Sequence, residues 1–114
     1  MKKADIFTEL VATYQKHGWQ LKGALLRPET RAALDINELT SVNPSDVKES
    51  EIDALWFSRP SHQNRQAWEL RLLAETQYAL FETFEEDETE EDRNEMKQEM
   101  EARLREHVLQ ESGH

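Results

Sequence analysis

A chain of 114 residues lies in the single-domain size range and can bury roughly two thirds of its unfolded surface around one core. Hydrophobic residues make up only 37%, but three Trp, four Phe and two Tyr supply the bulky apolar area that disordered chains lack, so a folded domain is expected over 1–110 with a flexible tail at 111–114. The absence of cysteine excludes disulfides, thiolate zinc sites and a cysteine nucleophile, and the net charge of -10 sets the chain against polyanions, so no nucleic-acid partner is expected.

The charge is unevenly spread. Residues 1–34 carry six basic and three acidic side chains, a sum of +3, and the rest carry eight basic and 21 acidic, a sum of -13. That field would favour a basic protein partner, or attraction between the two parts of the chain. Lys2 and Lys3 are followed by the mixed "ADIFTELVATY", which is no apolar signal segment, and no stretch reaches the ~20 apolar residues of a membrane span. A cytoplasmic protein without membrane contact is the expectation.

Ile6, Phe7, Leu10, Val11 and Tyr14 recur at three- and four-residue steps and predict a helix from Ala4 to His17, stopped by Gly18. "WQLKGALL" predicts a strand with Trp19, Leu21 and Leu25 on one face, in which Gly23 marks a bulge or a close backbone approach. Pro28 suits the first position of a short helix, "PETRAALD", with a hairpin turn at 27–30 as the competing reading. Residues 35–51 read as an extended loop with one or two short elements, turned by "NPSD" at 43–46.

"EIDALWFSRP" is ambiguous. Ser50-x-x-Asp53 resembles a capping box for a helix, whereas the aromatic content and Pro60 favour a strand at 54–59. That strand would turn through "PSHQN" into "RQAWELRLL", and "AETQ" would turn again into "YALFETF", giving an antiparallel meander. In the last strand Tyr78, Leu80, Glu82 and Phe84 share one face while Ala79, Phe81 and Thr83 share the other. Both faces are largely apolar, so the strand is either covered twice or meets a second subunit. The second alternative makes Tyr78, Leu80, Phe81, Glu82 and Phe84 candidate interface residues of a homodimer.

Residues 84–96, "FEEDETEEDRNEM", crowd carboxylates around a single arginine. The spacing fails as a calcium loop: from Asp87 the sixth position is Asp92 and the twelfth Gln98, and from Asp92 the fifth is Met96 and the sixth Lys97. The run reads better as a solvated helix start capped by Thr89. Downstream, Met96, Met100, Leu104 and Val108 form an apolar stripe, with Glu99–Arg103 and Glu101–Arg105 as acid-then-base pairs four apart. No two of the four histidines are three or four apart, so no helical metal pair is encoded, and no cofactor motif or nucleophile elbow is present. These gaps argue against an enzyme.

"WFSRPSHQNRQAW" joins two tryptophans with Arg59, His62 and Arg65 across a hairpin. Trp56, Arg59, His62, Arg65, Trp68 and Tyr78 are therefore candidate ligand-binding residues for an anion in a pocket between sheet and helices. The competing reading packs the tryptophans into the core and pairs Arg59 with Glu69 or Glu82 across strands. The expected architecture is a two-layer α+β domain with an N-terminal helix, an antiparallel sheet of about four strands and a C-terminal helix packed on the sheet. The leading functional expectation is a protein-interaction module that homodimerises, with a small-ligand binder or enzyme as the alternative.

Overall fold

A computed structural model of the chain describes residues 2–34 and 46–112, with side chains through Gln110. The elements in order are α1 (Lys3–Lys16), β1 (Gln20–Leu26), α2 (Pro28–Ala33), β2 (Val47–Glu49), β3 (Ala54–Pro60), β4 (Gln66–Leu72), β5 (Ala79–Phe84) and α3 (Glu90–Ser112). Of the expected turn at 43–46 only Asp46 is described, and the rest of it and of 35–45 lies outside the described residues, as do 113–114 of the expected tail; α3 runs through Ser112.

The strands form one sheet in the order β2-β1-β3-β4-β5. Only β1 and β2 are parallel; the other pairs are antiparallel, and β3, β4 and β5 form the expected meander. The α+β class and its two terminal helices agree with the sequence reading. Among the described residues the sheet has five strands rather than four, the extra one being the three-residue β2 inside the segment read as loop.

Strand parity divides the core in two. Leu55 and Phe57 of β3 point to a cluster with Ile6, Phe7 and Tyr14 of α1, whereas Ala54 and Trp56 point to a cluster with Leu70, Met100 and Leu104 under α3. Helices therefore cover opposite faces, and the expected two layers become three. The stripe Met96, Met100, Leu104, Val108 packs as its spacing predicts, with Leu104 fully buried.

Local chemistry explains the boundaries. Gly18 ends α1 at φ 85, a conformation that costs glycine little. Pro28 occupies the first turn of α2, which removes the hairpin alternative at 27–30. The helix alternative at 50–59 fails because Ser50 Oγ accepts the near Ile52 amide at 3.3 Å, a local turn, and Asp53 is committed elsewhere. Asp53, 4% exposed, accepts the Arg27 amide at 2.8 Å and the Thr30 hydroxyl at 2.7 Å, and its Oδ2 lies 3.5 Å from Lys3 Nζ and 3.3 Å from Arg27 Nε. One buried carboxylate thereby ties α1, the start of α2 and β3 together, with its charge compensated.

The acidic run is resolved as a boundary. Thr89 Oγ1 accepts the Asp92 amide at 3.1 Å and caps α3, and Glu88 accepts the Glu85 amide at 3.2 Å. Arg93 folds back to donate to the carbonyls of Glu85 at 3.0 Å and Glu86 at 3.3 Å. The lone arginine of the run thus closes the turn its acids would otherwise open by repulsion.

Candidate functional site

The six candidate ligand residues do not converge. Trp56 and Trp68 lie on the α3 face, with rings 6.0 Å apart in an edge-on arrangement. Tyr78 is on that face too, but stacks on His107 with centroids 3.7 Å apart. Arg59 lies on the α1 face, 4.7 Å over the Trp19 ring, and donates to the His17 carbonyl at 3.2 Å. His62 is exposed in the hairpin turn, and Arg65 pairs with Glu85 at 3.0 Å. The expectation of a pocket shared by Trp56 and Arg59 fails for a simple reason: residues three apart on a strand face opposite ways. Arg59 also finds a partner other than the expected Glu69 or Glu82, because Trp19 closes the end of α1 beside it.

A cavity of about 400 Å³ does exist beside the two tryptophans, between α3 and the β1–β2 side of the sheet. Its floor is Trp56 and Trp68, and its sheet wall includes Lys22, Gly23 and Lys48, with Asp46 just before β2. The helix wall is Asn94, Lys97, Gln98 and Glu101, which recur at helical spacing and form one polar stripe beside the apolar one.

The sheet wall owes its shape to a bulge. Leu21 pairs with Phe57 and Gly23 with Trp56, so the register slips between them and Lys22 is the inserted residue. The slip sends Leu21 to the α1 cluster and Leu25 to the α3 cluster, correcting the expectation that both share a face. A Cβ on Gly23 would meet the Asp46 carbonyl at 3.0 Å and Trp56 Cβ at 3.8 Å. Glycine is therefore needed here for backbone approach, and its missing side chain leaves the space above Trp56 open.

Two contacts set the electrostatics. The Trp56 indole N–H donates to Glu101 at 2.9 Å, which draws the Glu101 carboxylate inward, and Lys97 Nζ sits 3.6 Å from the Trp68 ring centre. Burial holds the Lys97 ammonium below its ordinary pKa, aided by the charges of Arg93 and Lys48 and opposed by Asp46 and Glu101. Sequence reading singled out the tryptophans but missed the three lysines, because Lys22, Lys48 and Lys97 are far apart in the chain. The signal that was available is the 94-97-98-101 polar stripe.

The second feature is β5, which ends the sheet opposite β2. Of the candidate interface residues, Phe84 is buried and Tyr78 and Leu80 pack toward α3. Phe81 faces the other way, 57% exposed, with its ring edge-on to Trp19 at 6.4 Å. Among the described residues, coverage of the α1 face stops short of β5: Ala79 beside Phe81 is exposed as well. The pairing of β4 with β5 leaves the backbone of Ala79, Phe81 and Thr83 turned to the open edge, and the Thr83 amide is taken by the Glu82 carboxylate at 3.2 Å.

Among the described residues no group of three or more His, Asp or Glu side chains is placed to hold a metal ion, and no helix is long and apolar enough to cross a membrane. The chain matches no protein-family model, no curated protein sequence and no solved structure.

Proposed function

We propose that this chain is a cytoplasmic interaction module that homodimerises by antiparallel pairing of β5 with β5 of a second copy. The supporting observation is that the open edge is self-complementary about Phe81. With Phe81 opposite Phe81 of the second copy, Ala79 faces Thr83 and Leu80 faces Glu82, so no like charges are directly opposed within the strand pair. The aromatic pair would contribute about 0.5–1.5 kcal/mol beyond area burial. The outward amides and carbonyls of residues 79 and 81, and those of Thr83 once its amide exchanges the Glu82 carboxylate for the second strand, would pair across the axis, extending the two sheets into one.

The net charge of -10 opposes this association at long range, so the dimer should tighten as salt rises. A complex with a basic protein would weaken instead, which separates the two interaction readings. The test is molar mass by light scattering at about 100 μM over a range of salt. A dimer is expected, with Phe81→Glu and Thr83→Pro monomeric and unchanged in circular dichroism. A monomeric mass for the native chain at every salt concentration sinks the reading.

A further inference from the structure

We infer that the groove between α3 and the β1–β2 side of the sheet binds a small aromatic anion, a planar ring carrying a phosphate or carboxylate. The inference is independent of the dimer, since the groove lies on the α3 face and the open apolar side of β5 on the other.

The observations converge from three elements. Lys22 is inserted by the bulge in β1, Lys48 lies in β2 opposite Leu25, and Lys97 comes from α3, so three lysines, Lys22 and Lys48 exposed and Lys97 half-buried, line one cavity in a chain of net charge -10. Lys97 is half-buried there, and the lowered pKa of its ammonium reflects mainly the cost of that burial. An anion would relieve it. Asp46 and Glu101 line the same cavity and offset two of the three charges, leaving a net charge of +1, and the Trp56 indole N–H holds the Glu101 carboxylate in place at 2.9 Å.

The floor specifies the other half of the ligand. Trp56 and Trp68 present edge-on rings 6.0 Å apart, and Gly23 contributes no side chain above Trp56. Lys97 now lies over Trp68 at 3.6 Å, where a flat ring could take its place while the ammonium turns to the anion. Asn94 and Gln98 offer amide donors and acceptors along the helix wall. A volume of about 400 Å³ suits a ligand of mononucleotide size.

The experiment titrates the isotope-labelled full chain with adenosine monophosphate, indole-3-acetate or inorganic phosphate, each to about 5 mM, and follows amide and indole N–H resonances. Saturable shifts are expected at Gly23, Lys97, Trp56 and Trp68, with Trp19 on the opposite face unmoved. Response to the nucleotide alone assigns a phosphate, to indole-3-acetate alone a carboxylate, and to both an anion site that does not discriminate; each supports the inference. Lys97→Met, which keeps the apolar stem, should weaken binding about tenfold, and Arg59→Met should leave it unchanged. The inference is overturned if neither aromatic probe shifts these resonances, if inorganic phosphate alone does, or if Lys97→Met binds as the native chain does.

Discussion

The Thr30 hydroxyl donates to the buried Asp53 carboxylate at 2.7 Å, so a residue in α2 and the one preceding β3 share a hydrogen bond 23 positions apart. The same carboxylate serves the Arg27 amide and faces Lys3 and Arg27. Asp53→Ala strands the buried Thr30 hydroxyl and the half-buried Arg27 amide and should cost about 2–3 kcal/mol. Asp53→Asn keeps the oxygen acceptor and should cost about 1 kcal/mol. Urea unfolding decides, and an alanine variant within about 0.5 kcal/mol of native would show that the hub is dispensable.

At Gly23 the constraint is steric. Gly23→Val should lose about 1–3 kcal/mol, because branched atoms must displace the Asp46 carbonyl already 3.0 Å from the Cβ position. A denaturation midpoint equal to native would mean that β1 and β2 part at little cost.

Tyr14 carries a pH signature. Burial, then the hydrogen bond its hydroxyl donates to Glu69 and that carboxylate's charge, push the phenol from 10.0 up to about 12. The folded state therefore holds its proton more tightly than the unfolded chain. The resulting stability is fully present below pH 10 and is lost as pH rises from 10 toward about 12. Absorbance at the phenolate band should show a late ionisation that Tyr14→Phe removes, along with part of the fall in stability over that range. Persistence of the late ionisation in Tyr14→Phe would refute the assignment.

Two positions on α3 should differ in scale. Leu104→Ala opens a cavity at a fully buried site and should cost about 2–5 kcal/mol, whereas Thr89→Ala removes only a cap and should cost about 1 kcal/mol. Equal losses would mean that α3 is held by its end rather than by its apolar stripe. Chemical denaturation of both variants measures the contrast.

Where a local period sets the structure, the sequence was readable. The α1 face, the meander and the Met96-to-Val108 stripe follow directly from 3.6- and 2-residue spacings. Alternation misled at Leu21 and Leu25, since the bulge at Gly23 reverses parity partway along β1. Applied strictly, the same alternation would have separated Trp56 from Arg59. Helical spacing pairs Glu101 with Arg105, whereas the indole N–H of Trp56, 45 residues away in the chain, donates to that carboxylate. The lysine-lined groove was illegible because β2, β1 and α3 supply one lysine each, and nothing local brings them together.

The sheet also divides the chain by the order in which its contacts can form. β3, β4, β5 and α3 are consecutive, joined by tight turns, and assemble most of the α3 cluster from residues 52–108. β1 must instead find β3 across a gap in which Gln20 meets Ser58, and only then does α1 acquire its half of the core. Loop closure of that length is slow relative to hairpin zipping. Folding is therefore expected to nucleate in the C-terminal part, with Leu70→Ala slowing refolding and Ile6→Val mainly hastening unfolding. On that order α1, which precedes the other elements in the chain, is expected to be among the last of them to find its place.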